Sequence, residues 1–132
     1  MVEEGIMPTK VYADGGKDKI CFLIEGQEPV IKQTTGETTN ANEYLAVIHA
    51  LQSAKNQGLQ EVEVFSDSEL MVRQLSGEYK TDNQRLKQLR VLVKMLTPDV
   101  GATFHWLPRE RNLAGLVLEE QQKKQRRKHV RV

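Results

Sequence analysis

Cysteine occurs once in the 132 residues, at Cys21, so no internal disulfide can staple the chain. A reducing, intracellular setting follows as the default, with the cytoplasm as the expected compartment. No apolar run approaches the roughly 18 residues that a membrane-crossing helix needs, so no membrane partner is expected. Repeats and low-complexity segments are missing, and nothing marks a second domain. The start, Met1 to Pro8, is short and acidic, unlike a secretory signal. The expected layout is an extension at 1–8, one domain at 9–122 and a basic tail at 123–132, in a monomer.

Net charge is nearly absent as well, at +1, but it is unevenly spread. Six of the 19 basic residues and none of the 18 acidic ones fall in 123–132, so that stretch carries +6 and the remainder −5. An acidic body with a basic end suits a protein that holds cations and touches phosphates. A solvated charged tail is the plain alternative.

What the sequence does contain is a regular alternation of strand and helix patterns. Val11 to Ala13, Ile20 to Ile24 and Val30 to Thr34 read as three strands of an antiparallel meander, with turn residues at 26–29. Capping residues at 38–42 precede a helix whose Tyr44, Val47, Ile48 and Leu51 share one face, and Gly58 is placed to end it. Glu61 to Ser66 alternates as a fourth strand. Leu70 to Leu75 forms a short helix, and Leu86, Leu89, Val93 and Leu96 stripe a longer one that Pro98 and Gly101 are expected to break. Ala102 to Leu107 is the fifth strand, and a last helix opens at Asn112. This order implies an α/β fold with a mixed sheet flanked by helices, its fourth strand reached through a helical crossover.

Three acids sit where packing gives little reason for them. Asp14 and Asp67 each close an apolar strand, and Glu43 lies in the first turn of the helix between those strands. If the two strands are parallel neighbours, their ends lie about 4.8 Å apart. Carboxylates converging there repel one another unless a cation is shared, so a metal site is expected. Helix capping would explain any one of the acids; it explains three together poorly.

The segments VYADGG at 11–16, TTNANEY at 38–44, FSDS at 65–68 and WLPRERN at 106–112 resemble, in the same order, those of type 1 ribonuclease H. The resemblance covers residues 9 to 121 or so. It implies a ribonuclease H-like fold with five strands in the order 3-2-1-4-5. It also implies hydrolysis of the RNA strand of RNA–DNA hybrids with Mg2+ or Mn2+, two ions being held when substrate is bound. Asp14 matches the position bridging both ions, and Glu43 and Asp67 those holding one each. Asn40 matches a position reaching the minor groove, where the 2′-hydroxyl distinguishes RNA, though it would also serve as an N-cap. Gly15 matches a backbone contact beside the substrate. Ser68, Gln74 and Tyr79 fall near positions lining the DNA strand's channel. Lys87, Arg90 and Lys94 share a helix face that would grip phosphates or simply be solvated.

Two departures from the family stand out. The loop after Asp14 is compact, so part of the usual substrate surface is missing. The final helix lacks the family's fourth acidic ligand. Keeping Asn112 and Leu118 in register puts Leu116 at that place, and a one-residue slip puts Gly115 there. Glu119, three residues beyond Leu116 on nearly the same face, is the candidate replacement, either directly or through water; Glu120 is a weaker one. The family's mobile His has no counterpart in the loop at 108–111, and His49 and His105 read as structural. The expected activity is therefore metal-dependent hybrid endonuclease. The alternatives are a weak or inactive module binding hybrid or duplex RNA, and a different nuclease on the same fold.

Overall fold

The computed structural model describes residues 7–130; most of the expected 1–8 extension, and Arg131 of the basic stretch, lie outside it. Strands β1 (Thr9–Gly15), β2 (Lys19–Ile24) and β3 (Val30–Gln33) form the meander. Then come α1 (Thr39–Asn56), β4 (Val62–Ser66), α2 (Glu69–Leu75), α3 (Gln84–Val100) and β5 (Thr103–Trp106). A 3-10 turn at Arg109–Arg111 leads into α4 (Leu113–Val130). The sheet has five strands in the order β3-β2-β1-β4-β5. β1 pairs antiparallel with β2 and parallel with β4, which in turn pairs parallel with β5.

The alternation of β1 and β4 buries Val11, Ala13, Val62 and Val64 completely or nearly so in one core, where α1 packs on β1. Helix α1 is buried on more than the single face its periodicity suggests. Tyr44, Val47, Ile48 and Leu51 are joined by Ala46, Ala50 and Ala54, because α1 packs on the sheet and on α3 at once. Each large side chain so buried contributes about 1.5–3 kcal/mol, so α1 is the axis of the core. Thr38, not Asn40, caps it: the Thr38 hydroxyl accepts from the Ala41 amide at 3.1 Å, and Asn40 is left exposed in the first turn.

Pro98 does not break α3, which runs on to Val100. A proline that far along removes only one amide donor before the helix ends anyway. The stop comes from Gly101, at φ 57, whose amide returns to the Thr97 carbonyl. The basic stretch from Lys123 is not set off from the domain by any break, since α4 continues through it to Val130. No described helix is long and apolar enough to cross a membrane.

Candidate active site

The parallel register matches Tyr12 with Phe65, so Asp14 and Asp67, each two residues further on, arrive side by side at the strand ends. Glu43 reaches them from the second turn of α1, since that helix already begins at Thr39, because α1 and β1 touch at the backbone. A Cβ added to Gly15 would lie 2.3 Å from the Asn42 carbonyl carbon and the Glu43 amide nitrogen. Only glycine permits that approach. Gly15, expected beside the substrate, therefore already has a packing role that fixes Glu43. Asn42, wholly buried, secures the same junction by donating to the Gly16 carbonyl at 2.8 Å. From the other side, buried Asn112 donates to the Ala13 carbonyl at 3.0 Å, holding the start of α4 next to Asp14.

Asp14, Glu43 and Asp67 thus offer carboxylate oxygens that all lie within 4.8 Å of one another. Asp14 is 1% and Glu43 8% exposed. Burial pushes the Asp14 carboxyl up to about 6, against the pull of Arg109 and with the Asp67 charge adding to the rise. Burial, and then the Asp14 and Asp67 charges, push Glu43 up to about 9. The Oε2 atom of Glu43 is buried without a hydrogen-bond partner. Three convergent oxygen donors, one of them unpartnered, are what a hard divalent cation prefers. This cluster is able to hold a metal ion.

The raised carboxyls have a consequence for stability. A group whose pKa is higher folded than unfolded binds more protons in the native state, so stability falls as pH climbs through that interval. Metal-free protein should therefore lose melting temperature between the ordinary carboxylate range and about pH 9, the folded value for Glu43. Thermal melts across that range check this, and Glu43→Gln should flatten the profile.

The sequence did not disclose Arg109 as part of this site. Its Nη1 donates to Asp14 Oδ1 at 2.8 Å and to Asp67 Oδ2 at 2.9 Å, and its Nε donates to Glu119 Oε1 at 3.0 Å. Burial opposes its charge, but the Asp67, Asp14 and Glu119 contacts more than compensate and its pKa is raised. Glu119 is accordingly tied to the cluster through Arg109, and it lies outside the group of converging oxygens. Gly115, rather than Leu116, faces that guanidinium: a Cβ there would lie 2.8 Å from Nη1, whereas Leu116 is 38% exposed.

The other expected contacts divide. Ser68 caps α2, its hydroxyl accepting from the Met71 amide at 3.2 Å. Gln74 is buried and its Oε1 accepts from the Tyr44 hydroxyl at 2.7 Å. Arg90 and Lys94 donate to the Gln74 and Leu75 carbonyls at 3.0 and 2.9 Å, closing the end of α2. Lys87 is exposed. It lines, with Tyr79, Lys80, Arg90 and Lys94, a cleft of about 770 Å³ beside the α2–α3 connection. The cleft is open, basic and partly aromatic, a surface suited to a nucleic-acid backbone.

Residues 18–117 match the family described as "Reverse transcriptase-like". Ribonuclease HI of Halobacterium salinarum is 33% identical over 78 residues, which is 56% of this chain and 39% of that protein. The chain spans between 23% and 39% of the length of the curated relatives it matches. Among solved structures, RNase H1 of the same archaeon superposes with a TM-score of 0.78 at 24% identity, covering 85% of this chain and 94% of that one. LC11-RNase H1 in complex with an RNA/DNA hybrid superposes with a TM-score of 0.72 at 29% identity, covering 80% and 88%. With strand order, helices and motif text in agreement, the fold is that of ribonuclease H and the chain belongs to the reverse transcriptase-like family.

Proposed function

We propose that the protein is a metal-dependent endonuclease hydrolysing the RNA strand of RNA–DNA hybrids. The observation that carries this reading is the convergence of Asp14, Glu43 and Asp67 within 4.8 Å, at strand ends. The likeness to ribonuclease HI and to a structure holding an RNA/DNA hybrid supports the choice of substrate. Asp14, Glu43 and Asp67 are the proposed ligands of Mg2+ or Mn2+, two ions being expected with substrate. When bound, such ions supply an activated water and charge relief at the leaving oxygen. The contacts of Glu119 favour it as the partner of Arg109 over a direct ligand.

The chain's own residues position the duplex. Asn40, exposed one helical turn before Tyr44, is placed to meet the minor groove. Gly15 keeps the backbone beside Asp14 bare of side chain. Lys87 and Tyr79, with Arg90 and Lys94 behind them, are proposed to hold the DNA strand in the basic cleft. Ser68 and Gln74 act there by fixing α2 rather than by touching substrate. A protein acting on cellular hybrids in this way would work as a monomer in the cytoplasm.

One observation favours a second reading, a hybrid-binding module with little turnover: Arg109 is already paired with two of the three acids. A side-by-side assay on RNA–DNA hybrid, duplex RNA and branched DNA, with Mg2+ and then Mn2+, separates the two. Cleavage confined to the hybrid's RNA strand is the expected result. Binding without cleavage selects the module, and cleavage of branched DNA alone rejects both.

A further inference from the structure

Arg109 holds the position that a shared cation would take. Its Nη1 bridges Asp14 Oδ1 and Asp67 Oδ2, at 2.8 and 2.9 Å, so an ion held jointly by those two carboxylates must replace it. Glu43 makes no contact with the guanidinium among the described residues, and its buried Oε2 is free of partners. The cluster is thus divided. Its Asp14–Glu43 side is open to a divalent ion while its Asp14–Asp67 side is already bridged by a cation from within the chain.

Two further features make the occupancy specific. The guanidinium is seated against Gly115, where any side chain would intrude: a Cβ would lie 2.8 Å from Nη1 and 3.0 Å from Cζ. Its far edge is latched by Glu119, which accepts from Nε at 3.0 Å. The side chain is 45% exposed and springs from the short 3-10 turn after Pro108. It can therefore leave for solvent without unpacking the core.

We infer that Arg109 is a built-in counter-cation of this site, exchanged for the second divalent ion, with Gly115 as its seat and Glu119 as its latch. This rests on the metal-dependent reading above. It follows that ions bind in two unequal steps. The first fills the Asp14–Glu43 side with Arg109 in place. The second is weakened by the cost of expelling the guanidinium from its charge-assisted hydrogen bonds.

The test is a Mg2+ titration of the full chain by calorimetry, with the Arg109 Nε–Hε resonance followed by NMR. The wild type should show two steps, the Arg109 resonance moving only with the second. Glu119→Gln is the informative variant, since a lost acid weakens cation binding through the general field or as a lost ligand, whereas a latch reduced to a neutral amide acceptor tightens the second step. The exchange predicts tightening by about fivefold, equivalent to the charge assistance removed from one hydrogen bond. Gly115→Ala, which changes no charge, should tighten it in the same direction. Weaker or unchanged binding in Glu119→Gln, or an Arg109 resonance unmoved at saturating Mg2+, overturns the exchange while leaving the metal site standing. No Mg2+ binding in wild type or variant overturns the metal reading itself, and the exchange with it.

Discussion

Asp14→Asn should abolish hybrid cleavage, lowering the rate by about a thousandfold or more, while the protein keeps its fold and its affinity for hybrid. Asp14 lies within 4.8 Å of both Glu43 and Asp67 and is the most buried of the three, at 1% exposed, so no solvent-borne group can substitute for it. The isosteric amide keeps the shape of the side chain but removes the charge that would bridge two cations. Charge stabilisation by a bound ion is worth several kcal/mol of barrier, and each 1.36 kcal/mol is tenfold in rate. Single-turnover cleavage, beside a binding measurement in calcium or without metal, checks both halves. Residual cleavage within tenfold of wild type would remove Asp14 from the chemistry.

The second large effect is expected at Gly15. Gly15→Ala forces a Cβ to within 2.3 Å of the α1 backbone at Asn42 and Glu43, and no flexible side-chain end is there to yield. Helix α1 must shift away from β1, loosening the junction that Asn42 holds through the Gly16 carbonyl. Overpacking of a tight core contact costs about 1–3 kcal/mol and occasionally more; backbone against backbone belongs at the top of that range. The expected result is a melting temperature lower by about 10 °C or more. Metal-dependent cleavage should fall with it, because Glu43 moves with the helix. An alanine variant with wild-type melting and activity would show that the contact is not what places Glu43.

Much of this architecture is legible in the residues alone, for a physical reason in each case. Strands β1 and β4 announce themselves by alternation, and the parallel register then carries Asp14 and Asp67 to one edge without further information. Glu43 is legible because it follows a run of capping residues, although the cap proper is Thr38. Arg109 escapes such reading. A cation among acids has no periodicity, and only the folded chain brings it to Asp14, 95 residues away. The same holds for Gly115, whose role appears only once a guanidinium is seen to lie against it. Arg90 and Lys94 line the basic cleft that their spacing suggests, and they also close the carbonyl end of α2, which spacing does not reveal. Spacing reports which face a residue is on, not what that face meets. Pro98 misleads for a related reason, since its cost depends on how little helix follows it.

The division of labour at the site follows from these pieces. Backbone contact at Gly15 and the two buried asparagines, Asn42 and Asn112, fix where the acids stand. Burial, and then the neighbouring acids, raise the Asp14 and Glu43 carboxyls, and the Arg109 charge offsets part of that rise. Basic and aromatic side chains beside α3 line a separate cleft, the one proposed to receive the duplex.

That the three acids jointly cage divalent ions is tested most directly by anomalous scattering from crystals of the protein grown or soaked with Mn2+. The account predicts a manganese peak within coordination distance of both Asp14 and Glu43, with a second peak against Asp67 once Arg109 is displaced. Manganese density absent from all three carboxylates at saturating concentration would contradict it.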